Sequence, residues 1–184
     1  MGSKPTFFMN GGDQVVIKND ISLAISTYLE TENLELYDLN IAGNESISKV
    51  EIFIFSQEEQ KLSTFERLNY QIQRLLEDIG LEKGTYELIL SSPGIERKLK
   101  TKRHFELSVN ERVKIKLIEP ILEQHQHSVT EHYLIEGFIN SVGNNHITLS
   151  TISPLFLQGN SKIEISNVKN AKIEFKKFKK RVKG

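Results

Sequence analysis

At 184 residues, with 38% hydrophobic and 26% charged side chains, the chain has the composition of a globular protein and not of a disordered or fibrous one. It contains no cysteine, which excludes disulfides, thiolate metal sites and cysteine nucleophiles, and no apolar run approaches the ~20 residues of a membrane helix. The formal net charge of zero hides an asymmetry: residues 169–184 carry eight basic side chains against Glu174, so about +7 lies there and about −7 elsewhere.

Residues 1–14 mix Gly, Asn, Lys and Phe without periodicity and without the apolar core of a signal peptide; they are expected to be a disordered leader. Asp20 is placed to cap a helix with Ile21, Ala24, Ile25, Tyr28 and Leu29 at helical spacing. Leu34–Ile41 and Val50–Phe55 alternate with period two, and Gly43-Asn44 supplies turn chemistry between them, so two antiparallel strands are predicted. Ser63 and Glu66 form a capping-box pair ahead of Phe65, Leu68, Ile72, Leu75, Leu76 and Ile79, and Gly80 is suited to end that helix. A strand over Thr85–Ser91 completes an α-β-β-α-β order, an α+β domain over residues 15–98.

That strand runs into Ser91-Ser92-Pro93-Gly94, where Pro93 fixes φ and Gly94 accepts positive φ, the chemistry of a type II-like turn. Arg97, Lys98, Lys100, Lys102 and Arg103 follow, five cations in seven positions, marking a basic seam. Beyond it Thr101 is placed to cap one helical turn. Arg112–Ile118, Tyr133–Val142 and His146–Ile152 read as strands, with Phe156-Leu157, Lys162–Ile165 and Ala171–Phe178 continuing the pattern. Residues 120–131 have no periodicity and read as an exposed loop. Several short strands over 99–178 suit a small closed all-β barrel, and 179–184 form a basic tail.

No motif for chemistry emerges. His125, His127 and His132 have a spacing that fits no strong zinc pattern, and a structural site needs further ligands, so no metal or cofactor is expected. Ser91 and Ser92 lack the G-x-S-x-G of a nucleophile elbow, phosphate-binding glycine loops are missing, and the carboxylates do not pair. The chain does not read as an enzyme. Its basic segments are the candidate ligand contacts: Lys98, Lys100, Lys102 and Arg103 at the seam, and Lys176, Lys177, Lys179, Lys180 and Arg181 at the tail, with Phe178 placed to stack on a base.

The run Ser91, Ser92, Pro93, Gly94, Ile95, Arg97 and Leu99 resembles the signature of the ribosome maturation factor RimP family, with Glu96 where that family usually has Asp and Lys98 where it usually has Pro. The resemblance implies an N-terminal α-β-β-α-β domain and a C-terminal SH3-like or Sm-like barrel. It further implies a cytoplasmic factor that binds immature small (30S) ribosomal subunits and assists late assembly without catalysis. The partners implied are 16S ribosomal RNA and ribosomal proteins, notably the one at the decoding centre, with no membrane and with the factor a monomer. In this reading the acidic body meets a basic ribosomal protein, seam and tail meet RNA, and Pro93-Gly94 sets the relation between domains. The alternative is an Sm-like RNA-binding regulator, which would assemble into a ring.

Overall fold

The computed structural model describes residues 11–43, 47–58, 60–157 and 159–175, with side chains from residue 18 onward. The chain divides into two compact units, up to Pro93 and from Gly94, so Lys98 already belongs to the second.

In the first unit α1 spans Gly11–Thr31, β1 Glu35–Ala42, β2 Lys49–Phe55, α2 Leu62–Asp78 and β3 Glu87–Ser91. Residues 11–14 of the expected leader are therefore helical, and Asp20 lies inside α1 and does not cap it; residues 1–10 lie outside the described residues. The sheet runs β1-β2-β3, with β1 antiparallel and β3 parallel to β2. Ile21, Ile25 and Leu29 from α1 and Leu68, Ile72 and Leu76 from α2 are fully buried against Val50, Ile52 and Ile54. Each such side chain contributes about 1.5–3 kcal/mol by leaving water, which holds the helices on the sheet.

The amphipathic spacing of α2 forms as predicted, but the Ser63–Glu66 capping box does not. Leu62 is already helical, and Lys61 occupies the cap position without a side-chain bond. The other end follows the sequence: Gly80 takes φ +102°, its N–H donates to Glu77, and Leu81 N–H reaches back to Leu76, a Schellman-type closure. A bidentate pair from Arg67 to Glu32, both bonds 2.6 Å, ties α2 to the end of α1. That hydrogen bond holds the Glu32 carboxyl below its usual value.

The second unit contains β4 Lys98–Leu99, α3 Lys102–Glu106, β5 Arg112–Gln124, β6 Val129–Val142, β7 His146–Ser153, β8 Gly159–Glu164 and β9 Val168–Ile173. They form one antiparallel six-stranded sheet in the order β4-β9-β5-β6-β7-β8. All six strands send residues into a single core, among them Leu99, Ile115, Ile135, Leu149, Ile163 and Ile173, with Phe105 of α3. Leu155–Leu157 is a 3-10 turn where a strand was expected.

The expected loop over 120–131 is instead a β-ribbon. Ile121 pairs with His132 and Gln124 with Val129, and His125 N–H closes the turn on Ser128. One face of the ribbon is exposed and the other, with Ile121, Glu123 and His132, is only half-buried, so no regular apolar alternation marks it in the sequence. No helix among the described residues is long and apolar enough to cross a membrane.

Candidate nucleic-acid interface

The alternation of β5 decides which side chains meet solvent. Val113, Ile115 and Leu117 are buried, so Arg112, Lys114 and Lys116 stand on the outer face. The same rule applies to β9, where Ala171 and Ile173 point inward and Asn170 and Lys172 outward, and to β4, where Leu99 is inward and Lys98 outward. Strand register then does what linear spacing cannot. Lys98 pairs with Lys172, and Lys172 with Lys114, which sets three lysines in a row across β4, β9 and β5.

Lys100, Lys116 and Lys169 join this row around a groove of about 670 Å³. Its remaining wall is Leu99, Phe105, Leu134, Ile165, Val168, Asn170 and Ala171, and among the described residues no acidic one lines it. From outside the groove Glu96 lies 3.6 Å from Lys172 and Glu136 3.1 Å from Lys114. Glu136 is also bonded by Arg112 at 2.8 Å, and this bond, ahead of the one from Lys114, keeps its carboxyl below the usual range. Arg112 in turn reaches Glu174 at 2.8 Å, so the network cross-links β5, β6 and the end of β9. Lysine ammonium groups act as point charges without the planar fork of arginine. A lysine-lined groove therefore suits phosphate oxygens at varied angles more than one fixed carboxylate.

The residues singled out in the sequence separate into distinct roles. Ser91 ends β3, Leu99 is buried in the second core, and Gly94 takes φ +81°, in the left-handed region that favours glycine. Arg97 is not presented to solvent with the other seam cations. Its side chain is only 9% exposed and bonds Glu111 and, at 3.1 Å, Ser108 Oγ, while its carbonyl accepts from Ile173 N–H. Lys98 and Lys100 line the groove, whereas Lys102 and Arg103 lie along α3 against Glu106, at 3.5 and 3.3 Å. Thr101 caps α3 as expected, accepting from His104 N–H. His104 is buried, and its Nδ1 accepts from Lys100 N–H, which pins the backbone behind one groove lysine.

Lys176, Lys177, Lys179, Lys180, Arg181 and Phe178 lie outside the described residues. Lys114 and Lys116 were not singled out from the sequence, although the alternation of Arg112–Leu117 carries the signal. Of the three clustered histidines, His132 bonds Glu123 at 2.8 Å and packs on Phe156, His125 lies 3.8 Å from the same carboxylate, and His127 sits in the turn. Among the described residues no three such side chains converge in a way that could hold a metal ion.

The first unit carries the comparison with known proteins. Residues 24–96 match the family model of the RimP N-terminal domain, from within α1 through β3 and the Ser-Ser-Pro-Gly turn to Glu96. This match extends the likeness well beyond the short signature at Ser91–Leu99, and residues 24–96 of the chain are a RimP N-terminal domain.

Proposed function

We propose that the chain binds immature small (30S) ribosomal subunits in the cytoplasm and assists their late assembly without catalysis. The observation that carries this reading, beside the family match, is the lysine groove. Six cations with no lining carboxylate suit the phosphates of 16S ribosomal RNA, where affinity comes from counterion release. Lys176, Lys177, Lys179, Lys180 and Arg181 follow β9 in sequence and would add to the same charge. The curved six-stranded sheet is read as the family's SH3-like or Sm-like barrel.

A protein partner fits another part of the second unit. Between Lys116 and Lys162 the sequence has no Lys or Arg but has Glu119, Glu123, Glu131 and Glu136. That stretch exposes Ile118, Leu122, Val129 and Tyr133 on or beside the β-ribbon. An acidic, apolar surface matches a basic ribosomal protein such as the one at the decoding centre. Such a factor works as a monomer by preferring one assembly intermediate over others, and it shifts populations only by that difference in affinity.

Co-sedimentation with small subunits, large subunits and assembled ribosomes at low and moderate salt tests the reading. Selective pelleting with free small subunits is expected, weakening as salt rises. A folded protein that pellets with none of them, or that forms rings on short RNA, would overturn it in favour of an Sm-like RNA regulator.

A further inference from the structure

Phe138 stands on the outer face of β6 with 43% of its surface exposed, while its neighbours Gly137 and Ile139 face the core. Its cross-strand partners are Arg112 on β5 and Ser150 on β7, and Ser150 in turn pairs with Asn160 on β8. Asn140, two residues along the same face, donates to Asn160 Oδ1 and accepts from Ser150 Oγ, both at 3.0 Å. Lys114 is the diagonal neighbour of Phe138, about 7–8 Å away by the geometry of such pairs. On one side the ring adjoins Arg112, engaged by Glu136 and Glu174, with the lysine row starting at the diagonal position beyond; on the other lies an ordered patch of amide and hydroxyl groups.

The backbone is arranged to hold Phe138 there. The pairing of β6 with β7 slips between Glu136 and Gly137, a bulge that re-aims the following side chain. Gly137 permits it, since a Cβ at that position would lie 2.6 Å from the Ser150 carbonyl oxygen.

An aromatic ring exposed on a sheet, a cationic row on one flank and amides on the other are the three parts of a single-strand platform. Cations neutralise phosphates, the ring stacks a base, and amides meet base edges. We infer that the outer face of the second unit binds single-stranded RNA, with an unpaired base stacked on Phe138 and the adjacent phosphates on the lysine row. This rests on the RNA contact proposed above and goes further, since a lysine groove alone would take any polyanion.

The test uses the full chain, a ten-nucleotide oligoadenylate and an abasic strand of the same length, compared by fluorescence anisotropy. The wild type should bind the base-bearing strand about ten-fold to a hundred-fold more tightly, the range expected for one stacked base. Phe138→Ala should remove that preference and leave the salt dependence unchanged, because no charge is lost. Phe138→Trp should retain it. The chain has no other tryptophan, so quenching of that indole by RNA reports stacking directly.

Equal binding of the two strands by the wild type would overturn the platform and leave only a polyanion groove. So would an Ala variant that keeps the preference. Failure to bind either strand would remove the underlying RNA contact as well. Loss of subunit binding in Phe138→Ala with RNA binding intact would reassign the ring to a protein contact and overturn the inference.

Discussion

Lys98 and Lys172 stand directly opposite one another on β4 and β9, with Lys114 next in the row. Like charges facing each other across strands destabilise a sheet by roughly 0.2–1 kcal/mol, here offset in part by Glu96 and Glu136. A row kept at that cost points to a use outside the fold. Replacing Lys172 with Gln should therefore leave thermal stability unchanged or slightly raised, while weakening subunit and RNA binding. The slope of log affinity against log salt should fall by about one per lysine removed. An unchanged slope with Lys98 and Lys172 both neutralised would take the row out of the interface.

Arg97 behaves oppositely, although it belongs to the same cationic run in the sequence. Its guanidinium is almost covered and bonds both Ser108 and Glu111, so its loss leaves Ser108 and Glu111 short of a partner. Arg97→Ala should cost about 2–4 kcal/mol of stability in the second unit, read by urea denaturation of the full chain. Arg97→Lys should recover only part, because one ammonium cannot reproduce the fork of a guanidinium. A stability loss below the error of the measurement would show that the arginine is not an anchor.

Stability should also depend on acid through Glu136. Its folded carboxyl lies below the usual value of 4.5, first through the bond from Arg112. A group depressed in the folded state contributes stability that is complete above its unfolded value and is lost as pH falls through the folded one. Part of the second unit's stability should thus disappear as pH drops below 4.5, and Glu136→Gln should flatten that part of the profile. The same variant should lose about 1–2 kcal/mol at neutral pH, since Glu174 still partners Arg112. Parallel acid profiles for wild type and variant would show that Arg112 does not hold the carboxylate in solution.

These residues mark how much could be read from the chain alone. The helix α2 and the strands β1, β2 and β7 were legible because one apolar face alternates with one polar face at a fixed period. The ribbon was not, because Glu123–Glu131 is polar except for Val129, and hairpin pairing is then carried by register alone. The groove was half legible. Lys98 and Lys100 were visible as a cluster, yet Lys114 and Lys116 lie outside that run in sequence and are brought beside it only through β9. Arg97 was misleading for a related reason: composition counts charges but does not say which of them turn inward.

The ribbon offers the last expectation, on the protein side of the proposed function. Glu131 faces Leu122 across the ribbon, and the Tyr133 hydroxyl donates to it at 3.0 Å, so one carboxylate sits among the exposed apolar residues of that face. Charges at such a rim act mainly on the rate of encounter, through long-range attraction that salt screens. Glu131→Lys should slow association with the purified decoding-centre ribosomal protein on the order of tenfold at low salt. The effect should shrink as salt rises, and RNA binding should be unaffected. Because Glu131 is exposed, the unfolding temperature should stay close to that of the wild type. Stopped-flow mixing at two salt concentrations reads the rate. An association rate that ignores the substitution would move the basic partner to another surface, and a collapse in stability would show that the Glu131 carboxylate serves the fold instead.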